Sequence, residues 1–263
     1  MQIKEFSKNE GKEVTVQGWV ANKREGKTLV FLVLRDGSGF AQCVINEDSI
    51  EAGAYADAKK LTTESAVELK GTVVKDEKQV GGYELQVSRL QVISIAEEYP
   101  ISPKEHGDSF LADHRHLWLR SKRQWAIMRI RNEIIHAIHN FFQSEGFVQM
   151  DAPIFTGNAC EGTSDLFETE YFDKTAYLTQ SGQLYGEAMA MAMGKIYTFG
   201  PTFRAEKSRT RRHLTEFWMM EPEMAFYDNE QNMDLIEKML NSVLSNVLGK
   251  CQSEFEIIER DTE

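Results

Sequence analysis

Phe203–Glu223 reads FRAEKSRTRRHLTEFWMMEPE. The segment before it, Thr198–Phe203, is apolar and strand-like, so Arg204 leaves the end of a strand. From Arg204 to His213, Arg204 included, there are five Lys and Arg residues and one Glu, after which Glu216–Met220 resumes an apolar strand. The pattern predicts a hairpin whose loop is charged. A guanidinium fixed at the root of a hairpin can grip two oxygens of one phosphate, and loop cations can reach further phosphates. Charge alone fits a solvated hairpin tip equally well.

The rest of the chain sets the contrast. It has 263 residues, a formal net charge of -11 and 41% hydrophobic residues, the composition of a folded globular protein with one large or two ordinary domains. An acidic total argues against indiscriminate binding to DNA, although local basic patches can still hold a polyanion. No apolar run approaches the roughly 20 residues that span a bilayer, and the N-terminus has no apolar signal core. Three scattered cysteines, Cys43, Cys160 and Cys251, make no disulfide framework. A reducing cytoplasm is the expected location. His114 and His116 are two apart and would diverge on a helix, so no metal site is expected.

The first hundred residues read as β structure. Strands are predicted at 14–24, 28–36, 40–46, 66–76 and 83–93, with a short Ala-rich helix at 52–61. Three strands, a helix and two strands is the order of an OB-fold, a small barrel that commonly binds oligonucleotides. Residues 95–109 hold two prolines and several charges without periodicity, and read as a hinge. Beyond it the period changes. Ile127, Ile130, Ile134, Ile138 and Phe141 recur at helical spacing and predict a helix over 121–144. A strand at 147–150 follows. Met233, Ile236, Leu240, Val243 and Val247 predict another amphipathic helix, ending before Gly249. Between these helices 175–180, 195–203 and 216–226 read as strands of one mixed sheet. The expected architecture is α+β: an N-terminal OB-fold over 1–100 and a sheet-based second domain over 101–263.

FRAE, RHLTEF and EPE together resemble motif 2 of the class II aminoacyl-tRNA synthetases, most closely the asparaginyl branch of the subclass shared with the aspartyl and lysyl enzymes. The resemblance covers nearly the whole chain. The helix at 121–144 with its strand and Pro153 resembles motif 1, which implies a homodimer through 121–153. YLTQSGQLYGEA (177–188) resembles the amino-acid-binding segment, and GNACEGTSDLF (157–167) the loop that closes on substrate. The OB-fold would be the anticodon-binding domain.

The resemblance assigns roles to individual positions. Arg204 corresponds to the arginine between the ATP α-phosphate and the substrate carboxylate, a place where a fixed cation stabilises developing charge. Glu206 and Phe217 correspond to the residues at the adenine, Phe217 as the stacking ring. Arg212 and His213 lie where the loop meets the outer phosphates or the acceptor end of tRNA. Glu161 and Gln183 correspond to residues holding the substrate ammonium. Ser181 lies in the same segment and could equally cap the following helix. Aspartate-selecting relatives carry lysine where Gly186 stands and aspartate where Glu221 stands. Glu221 would therefore accept from the amide of asparagine, and its charge would oppose aspartate. In the barrel, Phe31 and Gln42 correspond to positions that stack on and bond to the anticodon's central uridine, with Arg24 and Lys23 at phosphates. Phe31 could equally be core.

These assignments imply ligation of asparagine to tRNA(Asn) through an asparaginyl-adenylate, using ATP and Mg2+. An aspartyl enzyme, strict or non-discriminating, and a non-catalytic tRNA-binding protein are the alternatives. The family's third motif, GxGxGxxR, does not occur before Glu263. The expectation is therefore of a fragment that is inactive by itself.

Overall fold

The computed structural model describes residues 1–102, 104–160, 165–208, 210 and 212–259, with the backbone alone at Val80. The chain forms two compact units, Met1–Asp113 and His114–Glu263.

The first unit is a closed five-stranded barrel in the order β1 (Glu13–Glu25), β2 (Leu29–Arg35), β3 (Phe40–Asn46), β5 (Tyr83–Ser94), β4 (Ala66–Lys75). The β3–β5 pair is parallel and the others are antiparallel. Helix α1 (Ala54–Lys60) lies between β3 and β4 in sequence and contributes Ala54, Tyr55 and Ala58 to the barrel core. Alternation dictates that core: Val30, Leu32 and Leu34 of β2 are fully buried while their neighbours face outward. Phe31 is thus on the outer face, although LVFLVLR looks apolar on both sides. Gly71 permits a close crossing, since a Cβ there would lie 2.1 Å from the Gln86 carbonyl oxygen. Helix α2 (Asp108–Asp113) ends this unit.

The second unit opens with a helical turn, α3 (Arg115–Trp118), and the long α4 (Lys122–Ser144). Ser121 caps α4 by accepting from the Gln124 amide at 3.4 Å. β6 (Val148–Met150) then runs parallel to β10 (Lys195–Phe203), which pairs antiparallel with β11 (Glu216–Met224). A second, antiparallel sheet is ordered β7 (Phe155–Thr156), β9 (Lys174–Leu178), β8 (Glu168–Tyr171). The single mixed sheet expected from sequence is therefore two: the 175–180 segment pairs with its own hairpin. It reaches β10 through the Phe203 amide, which donates to the Thr179 carbonyl at 2.8 Å.

Helix α5 (Gln183–Met193) lies between β9 and β10 in sequence. Helix α6 (Asn229–Lys250) begins with a reciprocal Asp228–Gln231 capping box, both bonds 2.9 Å, and α7 (Gln252–Ile257) follows. Gly249 lies inside α6 rather than ending it. α4 and α6 pack on the sheet with Phe141, Phe142, Phe147, Tyr197 and Leu235 as the core. The expected apolar stripe of α6 is only partly the buried one: Val247 is buried, whereas Met233, Ile236 and Leu240 are exposed. Among the described residues no helix is long and apolar enough to cross a membrane.

Candidate active site

The β10–β11 register pairs Ile196 with Glu223, Thr198 with Glu221, Gly200 with Met219 and Thr202 with Phe217. Alternate residues of a strand share a face. Phe217, Glu221 and Glu223 therefore stand on one side with Thr198 and Thr202. Tyr197, Phe199, Met220 and Met224 fill the other side against the helices. Arg204 extends the ladder by one step, its amide donating to the Thr215 carbonyl at 2.9 Å. At about 3.3 Å per residue, Phe217 and Glu221 are about 13 Å apart along the strand.

A cleft of about 370 Å³ opens at the Arg204 end, lined by Arg204, Glu206, Arg212, His213, Thr215 and Phe217. The structure thus brings together all five residues that the sequence groups as a nucleotide site. Arg204 and Phe217 are half-buried, whereas Glu206, Arg212 and His213 are exposed. The loop folds on itself through a Thr210 hydroxyl to His213 Nδ1 contact. An aromatic face, a half-buried guanidinium and outer cations in one cleft suit a base joined to phosphates.

The other end is built around the Glu221 carboxylate. The Ser181 hydroxyl donates to Oε1, the Gly182 amide donates to Oε2 at 2.9 Å and to Oε1 at 3.2 Å, and the Thr198 hydroxyl donates to Oε2 at 3.1 Å. Ser181 also accepts from the Gln183 amide at 3.0 Å, so it both holds Glu221 and satisfies the first amide of α5, whose N-cap position is Gly182. Gln183 donates to Glu187 at 2.8 Å, and the thiol of Cys160 is 4.0 Å from the Gln183 oxygen. Glu161 lies outside the described residues. A cavity of about 220 Å³ adjoins this end, with Gly182, Thr198, Glu221, Asp151, Thr179 and Trp218 in its wall.

Gly186 is buried on α5, and a Cβ there would meet Ile196 Cδ1 at 3.5 Å and Glu223 Cγ at 3.6 Å. The acidic side chain that such a Cβ would touch is Glu223, through its Cγ, a residue to which the sequence assigns no role. Burial, then the charges of Glu187 and Glu221, push the Glu223 carboxyl above the usual range. Thr198 is likewise unmarked in the sequence. Both acquire meaning only from the strand register, which composition does not reveal.

On the barrel, Phe31, Gln42 and Arg24 come together on the outer face. The Arg24 guanidinium is 5.9 Å from the Phe31 ring centroid and 3.4 Å from the Gln42 oxygen. Gln42 in turn donates to Glu84 at 2.9 Å, which fixes its amide orientation. Lys23, by contrast, is paired with Glu25 at 2.9 Å. Among the described residues no group of three or more His, Cys, Asp or Glu could hold a metal ion.

Residues 108–262 match the family of class II tRNA synthetases (D, K and N), and residues 14–93 match the OB-fold nucleic acid binding domain. The asparaginyl-tRNA synthetase from Pyrococcus horikoshii complexed with asparaginyl-adenylate is 38% identical, with a TM-score of 0.89 over 97% of this chain and 59% of that one. The Entamoeba histolytica asparaginyl-tRNA synthetase, also with asparaginyl-adenylate, is 32% identical, with a TM-score of 0.80 over 91% of this chain and 56% of its own. An aspartyl tRNA synthetase from Entamoeba histolytica is 25% identical, with a TM-score of 0.80 over 100% of this chain and 58% of that one. The chain thus spans 56–59% of the length of these structures.

Proposed function

Because the chain belongs to the class II tRNA synthetases of the aspartate, lysine and asparagine group, we propose that its catalytic sheet serves the ligation of asparagine to tRNA(Asn). ATP is the co-substrate. An α-carboxylate oxygen of asparagine attacks the α-phosphorus, the bond to the β-phosphoryl oxygen breaks, and pyrophosphate leaves. The 3′-hydroxyl of the terminal tRNA adenosine then attacks the acyl carbon, losing its proton as AMP departs. No covalent protein nucleophile is used. Catalysis comes from holding two anions in line beside a fixed cation.

The observation that carries this reading is that the two ends of one hairpin face differ in chemistry and are separated by the reach of an aminoacyl-adenylate. Arg204 faces the α-phosphate and the attacking carboxylate, Phe217 stacks on adenine, and Arg212 and His213 meet the outer phosphates. Glu206 stands at the adenine end. Ser181 and Gln183 surround the amino acid, with Glu161 as the further ammonium ligand. Magnesium enters with ATP as the counterion of its phosphates. Arg24, Phe31, Gln42 and the neighbouring Glu84 form the anticodon-reading face. The 121–153 segment is the homodimer contact, and the cytoplasm is the place of action.

Asparagine is preferred to aspartate because Glu221 offers an acceptor to the carboxamide and a like charge to a carboxylate. A difference of about 3 kcal/mol gives more than a hundredfold selection. Amino-acid-dependent exchange of pyrophosphate into ATP, measured on a version of the protein that also carries the family's third motif, tests the reading. Asparagine should drive exchange and aspartate should not, and equal rates would reject the asparagine assignment. Arg204→Ala should abolish exchange, while retention of more than a tenth of the rate would reject the role of Arg204.

A further inference from the structure

We infer that Thr198 is a positioning residue for amide selection, acting through Glu221; the inference rests on the asparagine reading above. A carboxylate offers about four lone-pair directions. Here the Ser181 hydroxyl, the Gly182 amide and the Thr198 hydroxyl converge on both oxygens of Glu221, the amide shared between them. These contacts occupy most of the acceptor directions and leave little beyond one for a substrate donor. A carboxamide NH2 can fill it. The carboxylate of aspartate brings no proton to it and adds a second negative charge.

Thr198 is placed to impose that geometry. It is 4% exposed and lies on β10, the central strand, paired with Glu221 on one side and with Met150 of β6 on the other. A donor mounted on a strand held from both edges has little freedom to move. The approach is possible because Gly182 has no side chain: a Cβ there would lie 2.5 Å from Thr198 Oγ1 and 3.0 Å from Glu221 Oε2. Thr198, Gly182 and Glu221 all border the cavity of about 220 Å³. The hydroxyl of Thr198 thus sets the direction in which Glu221 presents its remaining lone pair. Valine would fill the same volume without doing so.

The test uses the full chain and two non-hydrolysable probes, asparaginyl-sulfamoyl adenosine and aspartyl-sulfamoyl adenosine, with affinities measured by calorimetry. Thr198→Val should lower the asparagine-to-aspartate affinity ratio by about tenfold or more, the size expected for a hydrogen bond to a charged group. ATP affinity should stay unchanged, and Thr198→Ser should restore the ratio. Thr198→Ala, checked for folding by circular dichroism, replaces the valine variant if that one does not fold. Glu221→Gln separates the two levels of argument. If it leaves the ratio unchanged, the asparagine reading itself fails. If it lowers the ratio while the hydroxyl-free Thr198 variants do not, the inference about Thr198 alone is overturned.

Discussion

Two glycines on either side of the start of α5 have opposite reasons for being glycine. At Gly182 a methyl group would collide with Thr198 and Glu221, at 2.5 and 3.0 Å. Gly182→Ala should therefore break the carboxylate cradle, destabilise the fold by about 1–3 kcal/mol and remove binding of the asparaginyl probe. At Gly186 the same methyl group meets only ordinary contacts of 3.5 and 3.6 Å. There the helical preference for alanine prevails, and Gly186→Ala should stabilise by about 0.5–1 kcal/mol. Thermal unfolding of both variants checks the pair, and equal signs would contradict the described packing.

Glu223 gives a pH dependence at the same scale. Its carboxyl is raised above the usual value of 4.5 by burial and by Glu187 and Glu221. Between that value and the higher one of the folded state, the folded chain keeps a proton that the unfolded chain has lost. Stability then falls as pH rises through that window. Glu223→Gln should be more stable than the parent above the window, and the difference should shrink below it, as read from urea midpoints at a series of pH values. Arg204, Phe217 and Glu221 are legible in the sequence because a guanidinium, an aromatic ring and a carboxylate at motif spacing announce themselves. Glu223 and Thr198 are not, because an ordinary strand residue becomes part of a site only through its cross-strand neighbour.

Among elements, the hairpin is the part the sequence describes best. β10 occupies 195–203 as predicted, and β11 ends two residues before the predicted 226. Strong apolar runs bounded by charge leave little room for error in such segments. Pairing is another matter: the separation of β9 from the β10–β11 sheet depends on which hairpin forms locally, and the pattern of 175–180 fits either sheet. Buried polar groups are equally hidden. Tyr197, fully buried at the sheet–helix core, has its hydroxyl 2.8 Å from His139 Nδ1 and within 3.4 Å of Gln143 and Gln149. It ties α4 to β10 and β6. Tyr197→Phe keeps the ring packing and should cost about 1 kcal/mol, measured by chemical denaturation.

The α6 face shows the limit of periodicity, since the helix has more apolar residues than its buried side can use. Ile236 and Leu240 are 45% and 49% exposed. A contiguous apolar stripe promotes association in water. Ile236→Glu combined with Leu240→Glu should reduce association beyond the dimer in sedimentation velocity without lowering the melting temperature. An unchanged association constant would place the sticky surface elsewhere.

At the scale of the whole molecule, the two units differ in how they satisfy their backbones. The barrel closes on itself, so all five strands are paired on both sides and, among the described residues, the unit has no free sheet edge. Its core is drawn from its own residues, from Ile3 and Phe6 to Leu90. The second unit packs its β6–β10–β11 sheet against α4 and α6 and keeps a separate core around Phe142 and Tyr197. With separate cores, cooperativity is expected within each unit rather than across both. Residues 1–113 expressed alone should therefore fold and unfold in one transition. Destabilising the second unit by Tyr197→Phe should shift only part of the full chain's unfolding signal. Barrel amides followed by hydrogen exchange should keep their protection in that variant. Loss of their protection together with that of β10 would mean that the two cores unfold as one.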